Sequence, residues 1–286
     1  MKYYVVIPAY NEQEFIKQTL DSLLNQSVLP QQIVVVNDNS TDKTPEIVTQ
    51  YAQKYTFITL VTKQSSAVHL PGSKVIRAFE AGLSILDDAY DFIVKLDADL
   101  ILPSNYFETI SKHFTNNATV GMVGGVALIE KNGNWVVESL TDTDHIRGAF
   151  KAYRKETFKQ IGGLKPAMGW DTVDELLCKF YNWQVLVDTS LQVKHLKPTG
   201  AVYDASARYK QGGAFYCLGY GLIITCIAAA KLALKKGKPL LFVDYVKGYF
   251  KAKNEGKEKL VTPQQEQFIR NYRRKKIKQK ILKTNK

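Results

Sequence analysis

Four short, largely apolar runs punctuate the first hundred residues: Val5-Val6-Ile7, Ile33-Val34-Val35-Val36, Phe57 to Val61 and Phe92 to Leu96. Runs this short, without in-and-out alternation, read as strands buried on both faces. Between them the spacing changes. Phe15, Ile16, Leu20, Leu23 and Leu24 recur at helical intervals, a second helix opens with Thr44 as N-cap and Pro45 at its first position, and Ser73 to Leu86 makes a third. Strand and helix alternating in this way predict an α/β domain: a mainly parallel sheet with helices on both faces.

Such sheets bind ligands beyond the carboxyl ends of their strands. Polar clusters fall there three times: Pro8-Ala9-Tyr10-Asn11-Glu12 after the first strand, Asn37-Asp38-Asn39 after the second, and Asp97-Ala98-Asp99 after the fourth. Three acidic loops on one edge point to a site. The second half is mixed, with strand-like Val120 to Ile129 and Gly148 to Tyr153, a turn at Gly162-Gly163, and a helix from about Thr172 to Tyr181. No internal repeat is present, and a boundary falls near Tyr209.

Cys178, Cys217 and Cys226 are odd in number and lack metal-ligand spacing, which argues against a disulfide framework or a zinc site and for a reducing compartment. The start of the chain leads straight into YYVVIP without a secretory pattern, so a cytoplasmic location is expected. The net charge of +12 is uneven: residues 231–286 carry 18 Lys and Arg against 4 Asp and Glu, while residues 1–230 carry 21 against 23. With a near-neutral body and no DNA- or RNA-binding motif, nucleic acid is not an expected partner. A basic tail beside an apolar segment fits an anionic membrane surface instead.

The run Lys95-Leu96-Asp97-Ala98-Asp99-Leu100 places two carboxylates one residue apart at a strand end, where both can point to one face and repel. A hard divalent cation that keeps some waters and binds substrate phosphates would relieve that repulsion. Capping of the next turn or pairing with Lys95 would also do so, and an isolated DxD does not decide between them.

The motifs VVIPAYNE at 5–12, VVVNDNSTD at 34–42, PGSKVIRAFEAGL at 71–83, KLDADL at 95–100, IGGL at 161–164 and GWDTVDE at 169–175 resemble, in this order, family 2 glycosyltransferases of the GT-A fold. The resemblance covers about residues 3–200. It implies an inverting transferase that uses a nucleoside-diphosphate sugar and Mg²⁺ or Mn²⁺. Residues 1–209 would then be a GT-A catalytic domain, its nucleotide-binding half about 1–100 and its acceptor-binding half about 101–209, followed by a helical, basic extension over 210–286.

Carried over position by position, the resemblance places Pro8, Ala9, Tyr10 and Glu12 around base and ribose and Asp38 on the base. Asp97 falls near the ribose and the metal's waters, Asp99 is a direct metal ligand, and His195 matches a histidine metal ligand. Lys74 and Arg77 could reach phosphate, and Lys197, Arg208 and Lys210 could balance diphosphate charge. Glu80 departs from the pattern, since many relatives carry Asn there. A base must take the proton from the attacking hydroxyl; the resemblance favours Asp171, with Asp174 and Glu175 as runners-up. Acids in a first helical turn are also favoured simply by the macrodipole.

Phe215 to Leu234 approaches the roughly 20 apolar residues a membrane span needs. A single crossing would export the basic tail, against the preference for cytoplasmic Lys and Arg. The expectation is a helix lying at the membrane surface, with a buried core helix as alternative, and with Lys235, Lys236, Lys238 and the run Arg273-Arg274-Lys275-Lys276 facing lipid phosphates. The protein is then expected at the inner face of the cell membrane, with a saccharide or lipid-linked acceptor. Two rival readings are a catalytically silent sugar-nucleotide-binding scaffold at the membrane and a sugar nucleotidyltransferase. The latter should carry a basic Gly-rich loop where PAYNE stands.

Overall fold

The computed structural model describes residues 1–64, 72–138, 145–197 and 209–284. The chain groups into two compact units, Met1–Pro166 with Tyr181–Thr199, and Ala167–Phe180 with Gly200–Lys286.

The first unit is an α/β sheet of nine strands among the described residues: β1 (Tyr3–Ala9), β2 (Gln32–Asp38), β3 (Ile58–Lys63), β4 (Phe92–Leu96), β5 (Leu100–Ile101), β6 (Val120–Lys131), β7 (Asn134–Val137), β8 (Phe150–Arg154) and β9 (Gln184–His195). Their order is β3-β2-β1-β4-β8-β6-β9-β5, with β7 on the side of β6. The β3-β2-β1-β4 half is parallel, as the unbroken apolar runs predict; β4 meets β8 and β8 meets β6 antiparallel, and β6 meets β9 parallel. The helices of this unit are α1 (Ile16–Leu24), α2 (Thr44–Lys54), α3 (Ser73–Leu83), α4 (Tyr106–Asn116) and α5 (Lys155–Gln160).

Val5, Val6, Ile7, Ile33, Val34, Val35 and Val36 are fully buried, so side chains pointing to either face of β1 and β2 are covered. Aromatic packing extends the core toward α4: the Tyr3 ring lies 4.9 Å from Phe92 and 4.6 Å from Phe107. On α3, a Cβ added at Gly82 would sit 2.5 Å from Val6 Cγ1 and 2.8 Å from Val36 Cγ2. That contact leaves no room for a side chain at the closest approach of helix to sheet.

One local expectation fails. Thr44 is not the N-cap of α2, which is Lys43, and no side-chain hydrogen bond caps the helix. The Thr44 hydroxyl is engaged between loops: it donates to Asp42 Oδ1 at 2.6 Å and accepts from the Glu12 amide at 2.8 Å. The expected third helix also stops three residues early, at Leu83.

The second unit is helical: α6 (Trp170–Phe180), α7 (Lys210–Cys217), α8 (Gly221–Lys235), α9 (Leu240–Asn254) and α10 (Pro263–Thr284). The sequence boundary near Tyr209 leaves α6 with the sheet, whereas by contacts α6 groups with the C-terminal helices. Phe180 meets Phe268 at 5.5 Å between ring centroids, and Lys179 Nζ lies 5.5 Å from the Tyr272 ring. The apolar segment 215–234 is not one rod. It breaks between α7 and α8, where Gly219 and Gly221 take φ of 72° and 69°, left-handed values open to glycine at little steric cost. No helix among the described residues is long and apolar enough to cross a membrane. In the basic run, Arg273 donates to the Tyr220 hydroxyl at 2.8 Å and covers its ring at 5.2 Å, so this cation has a structural contact rather than an open face.

Two outcomes test this packing. Gly82→Val should overpack the α3 interface and lower stability by about 1–3 kcal/mol, read as a lower urea midpoint. Between α4 and β9, His113 Nε2 lies 2.7 Å from Asp188 Oδ2. Burial works against the Asp188 carboxylate, but hydrogen bonds from Ser190 and His113 outweigh it and hold its pKa below the ordinary value. Its contribution is therefore present above the unfolded aspartate value of about 3.9 and lost as pH falls through the lower folded value. The urea-midpoint gap between wild type and Asp188→Asn should be open at pH 6 and closed well below pH 3.

Candidate active site

The carboxyl edge of the parallel strands is tied together by the protein's own side chains. Asn11 and Asn39, at φ of 53° and 63°, turn the chain after β1 and β2. The Asn11 amide donates to Ser40 Oγ at 3.0 Å, and Asn11 Oδ1 accepts from the Thr41 amide at 2.8 Å. Gln13 joins the same seam through the Lys43 amide at 3.0 Å. This seam holds Glu12 beside the loop after β2.

The loop from Asp97 to Asp99 is fixed from three sides. The Asp97 amide donates to the Ala149 carbonyl at 2.8 Å. The buried Thr19 hydroxyl on α1 donates to the Ala98 carbonyl at 2.8 Å and accepts from the Leu100 amide at 3.0 Å. Beyond the loop, two-residue β5 pairs Leu100 with His195 and Ile101 with Lys194, and the Leu196 amide donates to the Asp99 carbonyl at 2.9 Å. A histidine 96 positions away is thereby set beside Asp99, with Nε2 3.2 Å from Asp99 Oδ2.

Each acid of the pair has its own basic partner. Lys95, buried inside β4, ion-pairs with Asp97, and His195 faces Asp99. Glu12 accepts from Lys197 Nζ at 2.9 Å. Burial pushes the Glu12 carboxyl up, Lys197 opposes that, and the Asp99 and Asp97 charges add to it. Burial likewise raises Asp97, against the pull of Lys95 and with the push of Asp99. For His195 burial disfavours the cation, but Asp99 and Asp97 outweigh it and the net shift is upward, with the Arg147 charge opposing. Arg147, ion-paired with buried Glu138, is a nearby charge that the sequence pattern did not single out. The neutral Thr19 hydroxyl also went unmarked, because a helical Thr has no motif of its own.

Of the residues singled out in the sequence, Glu12, Asp97, Asp99, His195 and Lys197 form one electrostatic cluster. Pro8 and Ala9 end β1, with Ala9 paired to Asn37, and Tyr10 stands out with 57% of its surface exposed. Asp38 is buried at the end of β2. Lys74 is half-buried in the first turn of α3. Arg77 donates to Ser73 Oγ at 3.2 Å, and exposed Glu80 lies on the same helix. Arg208 lies outside the described residues. Within the helical unit, Asp171 is partly exposed in the first turn of α6, while Asp174 and Glu175 are buried. The Asp174 carboxylate accepts from the Glu175 amide at 2.6 Å.

Asp99 Oδ1, Glu12 Oε2 and Asp38 Oδ1 are buried without a hydrogen-bond partner among the described residues. Buried polar atoms are seldom left so, since the desolvation goes uncompensated. An unpartnered carboxylate oxygen on Asp99 beside an imidazole fits a divalent cation that accepts oxygen and nitrogen. Among the described residues, no group of three His, Cys, Asp or Glu side chains could by itself hold a metal.

Residues 4–168 match the family model described as glycosyl transferase family 2. The chain belongs to this family. Among curated relatives, the poly(ribitol-phosphate) beta-glucosyltransferase of Bacillus spizizenii is 30% identical over 49% of this chain and 21% of its own length. A dolichyl-phosphate beta-glucosyltransferase of Trichomonas vaginalis is 27% identical over 60% of this chain and 59% of its own. The chain thus spans less than two thirds of these relatives. Among solved structures, a mannosyltransferase from Pyrobaculum calidifontis in complex with GDP-Man and Mn²⁺ superposes with a TM-score of 0.59, at 18% identity, over 88% of this chain and 75% of that one. TarS from S. aureus in complex with UDP gives 0.57 at 18% identity, over 82% and 72%. These neighbours share the GT-A fold that the family 2 motifs imply.

The bracket by Thr19 is directly testable. Thr19→Val keeps the shape but strips partners from the Ala98 carbonyl and the Leu100 amide, and should cost about 1–3 kcal/mol in a urea titration. Thr19→Ser should recover most of it.

Proposed function

We propose that this chain transfers a glycosyl group from a nucleoside-diphosphate sugar to an acceptor hydroxyl with inversion, in the assembly of a cell-surface polysaccharide or glycolipid. The observation that carries this reading is the unpartnered, buried Asp99 oxygen beside His195 at the carboxyl edge of a family 2 sheet. Asp99 and His195 would hold Mn²⁺ or Mg²⁺, which when bound neutralises the diphosphate charge that develops as the glycosidic bond breaks. Asp38, Glu12 and the Pro8-Ala9-Tyr10 turn line the nucleotide, with Asp97 toward the ribose and Lys74 toward phosphate. UDP is the first nucleotide to test, since the TarS structures contain UDP and UDP-GlcNAc.

Lys95 holds Asp97 in place, and Thr19 with the β5–β9 pairing fixes the Asp99 backbone. The general base we assign to Asp171. Its partial exposure supports this over Asp174 and Glu175, which are buried. Asp171 takes the acceptor proton as the hydroxyl oxygen attacks the anomeric carbon opposite the leaving diphosphate.

Release of nucleoside diphosphate from UDP-sugars with Mn²⁺, measured with an acceptor extract, tests this assignment. Asp171→Asn should lower kcat by about 10² to 10⁴ while UDP with Mn²⁺ still raises the melting temperature. Asp99→Ala should lose both turnover and the Mn²⁺-dependent shift. Full activity of Asp171→Asn would move the base elsewhere, and a metal-dependent shift kept by Asp99→Ala would remove it as a ligand.

A further inference from the structure

The helical unit has a helix turned inside out. α8 buries Ile224, Thr225, Ala229 and Ala233, three of them small, and forms with α9 a core of Ala229, Ala233, Leu241 and Tyr245. Its outer side carries Ile223, Ile227, Ala230 and Leu234, spaced four, three and four residues apart and therefore on one stripe. Ile223 is 64% exposed, Ile227 43% and Leu234 78%. A surface helix in water normally shows the reverse, bulky aliphatics inward and polar groups outward. α9 continues the pattern, with Leu240 74%, Val243 44% and Phe250 41% exposed. Exposed apolar stripes of this kind mark an interaction site.

Charge selects the occupant. Exposed Lys231, Lys235, Lys236 and Lys238 gather toward the end of α8 and just past it, and Lys247 lies on α9 next to its apolar exposed residues, while Lys251 at the end of α9 lies 3.8 Å from Glu255. The single carboxylate of α9, Asp244, is buried. We propose that the outer faces of α8 and α9 dock on an anionic lipid bilayer, the aliphatic side chains entering the headgroup boundary and the lysines meeting lipid phosphates. At 15 residues α8 is about 22 Å long, short of the hydrocarbon thickness of about 30 Å, so it lies along the surface. A second copy of the chain is a poorer occupant, because two-fold pairing through this face would set the same lysines against each other. The assignment rests on the helical unit alone and is independent of the transferase reading.

Co-sedimentation of the full chain with vesicles tests it. Wild type should partition onto mixed phosphatidylcholine–phosphatidylglycerol vesicles, bind phosphatidylcholine alone more weakly, and release as salt rises. The triple variant Ile223→Ser, Ile227→Ser, Leu234→Ser alters exposed positions only, and should keep wild-type circular dichroism while partitioning at least about tenfold more weakly. Ile227→Trp should show a blue-shifted emission on adding anionic vesicles. The proposal fails if wild type stays in the supernatant with anionic vesicles, or if the triple variant binds as wild type does. It also fails if sedimentation shows a dimer that the triple variant dissolves, which would make a second copy the occupant.

Discussion

Carboxylates crowded at one edge of a sheet repel, and the first unit is organised around that repulsion. Two like charges about 4 Å apart at an effective dielectric near 20 cost roughly 4 kcal/mol, a large part of a domain's stability. The protein answers acid by acid. Lys95 reaches Asp97 from inside β4, His195 faces Asp99 across the β5–β9 pairing, and Lys197 takes one oxygen of Glu12. One oxygen each of Asp99, Glu12 and Asp38 is left buried and without a partner among the described residues. These basic partners hold the loops in shape without saturating the acids, and the acids left over are what a divalent ion carrying its diphosphate would meet.

The backbone around these acids is held by polar side chains drawn from elsewhere. Thr19 spans two groups of the Asp97–Asp99 loop from α1, and Thr44 and Asn11 sew the loop after β1 to the loop after β2. Each spends a hydroxyl or amide that sequence rules would assign to a helix cap or a turn. The helical unit follows another logic. Small residues let α8 and α9 approach closely, and the bulky aliphatics displaced from that contact face outward beside lysines.

Much of the fold was legible because strand burial leaves a mark on composition. Val5 to Ile7 and Ile33 to Val36 have no polar position because neither face meets water, and that forces helices onto both sides. Helix ends were less legible, as at Thr44 and Leu83, because caps depend on what a side chain can reach across space. The apolar stretch 215–234 was legible as hydrophobic but not as two helices, since composition alone does not say whether Gly219 and Gly221 adopt left-handed angles.

The order of motifs in the sequence determined the family, the parallel half of the sheet and the edge at which acidic loops gather, because those follow from local periodicity and from where strands end. Only the tertiary structure decided which distant group answers each charge. Asp99 and His195 are far apart along the chain and meet through a strand of two residues, while Lys95 and Asp97 were always neighbours but pair only because β4 buries the ammonium. Tertiary packing likewise decided which face of α8 is covered. Pairing and burial depend on distance in space, and a sequence records distance only along the backbone.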